Sequence, residues 1–301
     1  MSVERVAIIG LGLLGGSLGL AIAERLPKIA TTGFDADPQV RQRATERGLV
    51  DRVCDTPAEA VASADLVILC VPVGAMEAAA REIASALPAA AIVSDVGSSK
   101  QSIARALGAA LPDQAVIPAH PVAGTERSGP DAGFATLFSH RWCILTPPDG
   151  ADATAVATLT GFWEALGAKV EIMDPAHHDV VLAVTSHIPH LIAYTIVGTA
   201  SDLEDVTQGE VIKYSAGGFR DFTRIAASDP VMWRDVFLSN REAVLEVLGR
   251  FTEDLSALQR AIRNGDGEAL FDLFTRTRAI RRAIIDEGQD DARPDFGRGD
   301  H

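Results

Sequence analysis

Short β-branched runs alternate with helical stretches through the first half of the chain. Arg5–Ile9, Thr31–Phe34, Leu66–Val71, Ala91–Ser94 and Ala115–Pro118 have the length and composition of strands. Between them, Leu14–Arg25, Pro38–Arg47, Ala75–Leu87 and Lys100–Leu111 are of helical length and rich in alanine. Two more strands, Trp142–Leu145 and Val170–Met173, flank a helix at Ala151–Leu166. This alternation predicts an α/β fold, a doubly wound parallel sheet wrapped by helices. Asp174-Pro175 closes it, with Asp174 as a helix cap and Pro175 in the first turn. From there helix signals dominate. Val180–Ala200 is apolar almost all round, which predicts burial on most sides, inside a bundle or at a subunit interface. Beyond Pro230 come Val231–Leu248, Phe251–Arg263 and Glu268–Ile285, the last two parted by Asn264-Gly265-Asp266-Gly267. The expected division is therefore 1–174 for the α/β domain, 175–285 for an all-α helical domain, and 286–301 as a disordered tail of polar, Gly and Pro residues.

The 301 residues are ample for two domains. Formal net charge is −14, from 27 Lys+Arg against 41 Asp+Glu, so a nucleic-acid or anionic-membrane surface would work against the field of the whole molecule. Neither is expected as a partner. The cysteines Cys54, Cys70 and Cys143 lie far apart and form no disulfide framework or zinc pattern, which suits a reducing cytoplasm. Glycines interrupt the first apolar stretch between Gly10 and Gly16, so it does not read as a secretory leader. Val180–Ala200 comes nearest to a membrane span, but its Ser186, His187, Pro189 and His190 argue for a helix of a soluble protein.

Gly10-Leu11-Gly12-Leu13-Leu14-Gly15 directly follows a strand and opens a helix. In a dinucleotide-binding (Rossmann-type) loop, Gly10 makes the tight turn, Gly12 lets backbone approach a diphosphate, and Gly15 lets the helix pack on the strand. The glycines alone would serve a plain strand-to-helix turn equally well. Asp35 ends the second strand about 20 residues beyond Gly15, where an acid accepts the ribose hydroxyls, and this context gives the motif its weight. A carboxylate there favours NAD, while Arg41 and Arg43 stand near enough to leave NADP open. Val71-Pro72 and Gly97-Ser98 follow the third and fourth strands at carboxyl ends, where ligands of such sheets bind. Gly10, Gly12, Leu13, Leu14, Gly15, Asp35, Val71, Pro72 and Ser98 are thus the candidate cofactor contacts. Ser98 reads equally as the N-cap of the helix that follows.

His120 follows the strand ending at Pro118, in a loop bounded by Gly124, at the expected mouth of the nucleotide site. A neutral imidazole there suits proton acceptance, although a lone histidine is more often structural. His187 and His190 share one helix face. A metal would need a third ligand on that face, and His177 and His178 lie too many turns back, so no metal is expected. Arg224 reads either as a surface charge or as a carboxylate clamp, for which its bidentate fork is suited.

Three motifs in order, His120-Pro121-Val122-Ala123-Gly124-Thr125-Glu126, Ser186-His187-Ile188-Pro189-His190 and Asp221-Phe222-Thr223-Arg224-Ile225-Ala226, resemble the prephenate/arogenate (cyclohexadienyl) dehydrogenases of tyrosine biosynthesis. The resemblance implies oxidative decarboxylation of prephenate or arogenate with NAD or NADP, in a homodimer joined through the helical domain. It makes His120 the catalytic base at the ring hydroxyl and Ser98 its partner in positioning hydroxyl and nicotinamide. It puts Arg224 on a substrate carboxylate, with Arg220 and Lys213 as further cations, and His187 and His190 along the pocket. Thr125, Glu126, Asp221 and Trp233 would complete the gate and wall. It also implies a monofunctional form, without a mutase segment or an appended regulatory module. Two other readings stay open. A 3-hydroxyacid dehydrogenase would carry a lysine on the helix at Val180–Ala200, which has none, and a nucleotide-sensing module would leave His120 and Arg224 without a purpose.

Overall fold

The computed structural model describes residues 3–125, 127–202 and 217–286. These fall in two compact units, Met1–Leu245 and Glu246–His301. The first is built on a six-stranded parallel sheet of β1 (Arg5–Ile9), β2 (Ala30–Phe34), β3 (Arg52–Val53), β4 (Leu66–Leu69), β5 (Ile92–Asp95) and β6 (Ala115–Val116). Its order is β3-β2-β1-β4-β5-β6, the doubly wound arrangement whose crevice lies between β1 and β4, where the winding reverses. The expected α/β class is therefore correct. All four residues of β4 are buried, as a sheet covered on both faces requires. The crossover helices include α1 (Leu13–Arg25), α2 (Pro38–Arg47), α3 (Pro57–Val61), α4 (Met76–Ile83) and α5 (Gln101–Ala110). β3 and α3 were not foreseen; at two and five residues they are too short to show a period.

The strand expected at Ala115–Pro118 ends early, and for a chemical reason. Ile117 still donates to the Val93 carbonyl, but Pro118 has no N–H to continue the ladder. The chain leaves the main sheet and starts a second one, made of β7 (Ala119–Pro121), β8 (Trp142–Leu145) and β9 (Lys169–Ile172). His120 therefore lies inside a strand, opposite Ile144, and not in a loop. Between β8 and β9 runs α6 (Ala153–Ala165), whose Leu159, Phe162 and Trp163 fill the core beneath.

Asp174 accepts from Ala176 N and His177 N and so caps α7 (Pro175–Leu182), with Pro175 in the first turn as expected. A single π-helical turn, Ala183–His187, joins α7 to α8 (Ile188–Asp202). The resulting rod, Pro175–Asp202, is long and apolar enough to span a membrane by length and composition, yet it is not buried on most sides. Val180, Val184, Ile196 and Val197 are exposed in the single chain, while His178, Asp179 and His187 point inward. After α9 (Gly217–Thr223) and α10 (Pro230–Ser239) the chain breaks at Asn240 and continues as α11 (Arg241–Asn264). The break expected near Leu248 is absent because Gly249 is carried inside α11, a cost of about 1 kcal/mol that a long helix absorbs. In the second unit, the rest of α11 turns at Gly265, with φ of +67°, into α12 (Gly267–Asp286). Leu255, Ile262, Phe271, Phe274 and Ile280 are exposed there. The expected tail lies outside the described residues, apart from Asp286.

Candidate active site

The glycine loop stands at the crevice between β1 and β4. Gly10 has φ of +98°, and a Cβ on it would lie 2.4 Å from the Cys70 carbonyl oxygen, so only glycine fits the turn. A Cβ on Gly15 would lie 1.8 Å from the Gly10 carbonyl oxygen, which shows how closely α1 rides on the loop. Gly12 differs: a Cβ there would meet nothing within 4 Å. Gly12 is also the N-cap of α1, with no side-chain cap and no acid in the first turn. The loop thus presents free backbone N–H groups and the positive end of a helix to open space, with Leu13 and Leu14 in the first turn, and these fit the diphosphate of a dinucleotide.

Asp35 sits beside that opening, half-buried. One oxygen accepts from Leu11 N at 2.8 Å and the other from Asp37 N at 3.0 Å, which ties the end of β2 to the glycine loop. Arg41 donates to the Asp35 carbonyl at 2.7 Å, and Arg43 is paired with Glu46 and Asp131. Arg41 is thus held at the Asp35 backbone and Arg43 by two carboxylates. Val71 and Pro72 follow β4, and Val71 lies within 3.2 Å of the position a Gly10 Cβ would take.

Across from the loop lies a cluster of buried polar side chains from four separate segments. Asp95 ends β5, and Lys100 reaches back from the start of α5; both are fully buried. Lys100 Nζ donates to Asp95 Oδ2 at 2.5 Å and to the Ala119 carbonyl at 2.6 Å, while Asp95 Oδ1 accepts from Ala119 N at 3.1 Å. The pair thereby fixes the residue before His120. Burial pushes the Asp95 carboxyl up and the Lys100 ammonium down, and their mutual attraction opposes both shifts.

His120 is buried, and its Nδ1 lies 2.9 Å from His178 Nε2. His178 Nδ1 lies 2.9 Å from Asp179 Oδ1. Asp179 is the missing cap of α5: Oδ1 accepts from Lys100 N at 2.7 Å and Oδ2 from Gln101 N at 3.0 Å. Ser98 is therefore not the cap of that helix, since a carboxylate 79 residues away does the work. Burial, reinforced by His178, Lys100 and His187, holds the His120 imidazolium well below the ordinary histidine range. His120 is thus neutral at physiological pH.

His187 is fully buried. Its Nδ1 accepts from Asn240 Nδ2 at 3.1 Å, and Asn240 also donates to the Asp179 carbonyl. Its Nε2 lies by the Ser98 backbone without a hydrogen bond of normal geometry among the described residues. Burial lowers its pKa to about 4, against the opposing influence of Asp179 and the Ser98 backbone. His190 is stacked on Trp233, with ring centroids 3.7 Å apart, and donates to the Ser186 carbonyl through Nδ1. Arg224 lies on a 3-10 turn, close enough that its charge helps burial lower the His190 pKa.

The structure thus gathers His120, Ser98, His187, His190, Trp233 and Arg224 on one side of the crevice. Asp221 is exposed and faces Arg220 at 3.5 Å. Thr125 Oγ1 accepts from Arg127 N. Glu126 and Lys213 lie outside the described residues. Sequence reasoning missed Asp95, Lys100, His178, Asp179 and Asn240. His178 was set aside because it lies too many turns back from His187 to share its face easily. The π turn between them widens the winding and brings both inward. Among the described residues, no group of three or more His, Cys, Asp and Glu is placed to hold a metal ion.

Comparison with known proteins decides the family. The model for the prephenate dehydrogenase nucleotide-binding domain matches residues 18–172, and that for the prephenate dehydrogenase dimerization domain matches 174–276. The chain belongs to the prephenate dehydrogenase family. It is 44% identical to the cyclohexadienyl dehydrogenase of Zymomonas mobilis over 93% of its length and 96% of that protein. It is 32% identical to the prephenate dehydrogenase of Bacillus subtilis, over 93% of this chain and 76% of the relative. Among solved structures, Aquifex aeolicus prephenate dehydrogenase with hydroxyphenyl propionate and NAD+ superposes with a TM-score of 0.87 at 33% identity, over 94% of this chain and 99% of that one. The family's two models meet at the change from α/β to all-α structure around Asp174. The compact units divide later because Asp179 and Asn240 stitch the first helices of the helical region onto the α/β half.

Proposed function

We propose that this protein oxidatively decarboxylates prephenate to 4-hydroxyphenylpyruvate, or arogenate to tyrosine, with NAD, in the cytoplasm. One observation carries the reading: in a chain matched by the family over residues 18–276, the motif histidine His120 is buried, neutral and hydrogen-bonded through Nδ1 alone among the described residues. NAD bound at the glycine loop supplies the hydride acceptor. Gly10, Gly12 and Gly15 shape its diphosphate site, Leu13 and Leu14 offer the first-turn backbone, Asp35 takes the ribose hydroxyls, and Val71 and Pro72 wall the crevice.

His120 removes the proton from the ring hydroxyl as the carbinol carbon loses its hydride and becomes a carbonyl. The carboxylate then leaves as carbon dioxide, and the electron pair of the broken C–C bond aromatises the ring to a phenol. Positioning and one base therefore suffice, because aromatisation drives the second step. Ser98, next to His187, orients the hydroxyl. Arg224, beside His190, binds a substrate carboxylate. His187, His190 and Trp233 line the pocket.

The helical domain, residues 175–285, mates two copies into a homodimer. The exposed apolar residues of α8 and, separately, of α11 and α12 support this. The inward His178, Asp179 and His187 argue against the rod Pro175–Asp202 lying in lipid.

NADH formation with prephenate and with arogenate, using NAD and NADP in parallel, tests the reading. His120→Asn should lower kcat by about 10²- to 10⁴-fold while NAD still binds. Unchanged turnover in that variant sinks the base assignment, and no turnover with either acid sinks the function.

A further inference from the structure

We infer that Asp179 and His178 are positioning residues that lock His120 in the tautomer bearing hydrogen on Nδ1, leaving Nε2 as the proton acceptor. The inference rests on the reading of His120 as the base and adds which nitrogen acts and what holds it so. It starts from the carboxylate. Asp179 Oδ1 receives Lys100 N–H and Oδ2 receives Gln101 N–H, and a carboxylate carries no hydrogen of its own to give, so the group accepts from all its partners. His178 Nδ1, 2.9 Å from the same Oδ1, must then donate, which leaves its Nε2 as an acceptor. His120 Nδ1, 2.9 Å from that Nε2, must donate in turn. Each ring has one hydrogen in its neutral form, so the lone pair of His120 falls on Nε2.

The other charged and titratable groups facing these rings do not compete for the hydrogens. Lys100, on α5, is committed to Asp95 and the Ala119 carbonyl. His187, the last residue of the π turn, is held by Asn240. Asp179 also caps α5 directly after the Ser98 loop. One carboxylate therefore fixes both the base and the backbone that leads out of the cofactor crevice.

Selective 15N labelling of histidine in the full-length wild type, with His120→Asn to assign the resonance, reads the tautomer directly. We expect His120 hydrogen on Nδ1 at neutral pH; hydrogen on Nε2 overturns the inference whether or not His120 is the base. Asp179→Asn can turn its amide N–H toward His178 and reverse the chain. It should lower kcat by about 10²- to 10⁴-fold, as a wrong tautomer does, and shift the acid limb of kcat/KM to lower pH, because the remote negative charge no longer favours the protonated ring. His178→Gln, whose amide oxygen can replace Nε2 as acceptor, should retain more activity than His178→Leu. A folded, NAD-binding Asp179→Asn with kcat within about threefold of wild type and an unmoved limb overturns the inference.

Discussion

The two walls of the crevice are built by opposite means. The glycine loop works by leaving atoms out: a turn that only Gly10 can make, an α1 brought close by Gly15, and an uncapped helix start at Gly12 facing open space. The histidine wall works by filling space with polar atoms. Asp95, Lys100, His120, His178, Asp179, His187 and Asn240 are all buried, and each is tied to others by hydrogen bonds. The first wall suits a large anionic cofactor that brings its own chemistry and needs donors and room. The second suits a proton transfer, where one imidazole must be kept neutral and pointed. Substitutions should therefore act as sterics on one wall and as electrostatics on the other.

The sharpest test of the second wall is Lys100→Met. It removes the cation and leaves Asp95 buried without its partner, which should lower the unfolding free energy by about 3–5 kcal/mol in a denaturant titration. Adding Asp95→Asn should restore much of that, since no charge then remains to be buried. If the double variant is as unstable as the single, packing and not charge holds Ala119 in place.

On the first wall, Gly15→Ala and Gly12→Ala separate the two duties of the motif. The new methyl of Gly15→Ala lands on the Gly10 carbonyl and forces α1 to move, for about 1–3 kcal/mol of stability. That of Gly12→Ala meets no protein atom, so stability should stay within about 0.5 kcal/mol. NAD affinity should nevertheless fall by about tenfold or more, or 1.4 kcal/mol, because the methyl occupies ligand space. Calorimetric titration with NAD on both variants distinguishes packing from contact.

The same contrast explains what could be read from the sequence. Gly10 to Gly15 and Asp35 belong to one strand-turn-helix-strand unit, so spacing alone places them, and the doubly wound parallel class of the main sheet follows from the alternation. The relay joins residues 95, 100, 120, 179 and 240, and nothing local brings them together. His120 was found by its motif, but its strand was missed because Pro118 ends one ladder and a new sheet takes over. His178 was set aside as too many turns from His187, a distance in sequence that the π turn at Ala183–His187 and the packing of both rings inward override. Ser98 passed as a cap because serine suits the position; the carboxylate that does cap α5 comes from another helix. An aspartate at the end of an apolar strand, Asp95, with a lysine five residues on at the start of the next helix, Lys100, was the available signal, since such groups are buried only when paired.

Acid should weaken the histidine wall. Burial lowers the pKa of His120, His178 and His187 below the ordinary value near 6.5, that of His187 to about 4. Below pH 6.5 the unfolded chain therefore binds protons that the folded chain refuses, and stability falls as pH falls until the folded groups titrate. Each histidine contributes up to about 1.4 kcal/mol per pH unit over that window. Urea titrations at pH 7, 6 and 5 should show a steep decline, reduced in His187→Gln. The same sign places the acid limb of kcat/KM below pH 6.5, since the neutral base is the active form.

A small effect on stability is also expected at Trp233, where the two walls' principles meet in one side chain. Its ring stacks on His190, yet its Nε1 is buried without a hydrogen-bond partner among the described residues. A buried donor left unmade carries a desolvation penalty of about 1–3 kcal/mol. Trp233→Phe removes that penalty along with some ring area, so the two terms oppose each other, and the unfolding free energy should change by less than about 1 kcal/mol. A ligand acceptor would satisfy the same N–H. The variant should therefore raise KM for the cyclohexadienyl acid by about tenfold with kcat nearly unchanged, the pattern of an interaction equally strong in ground and transition states. Unchanged KM would reduce Trp233 to a wall that holds His190 flat, and a fall in kcat alone would place its N–H at the reacting ring instead of at a carboxylate.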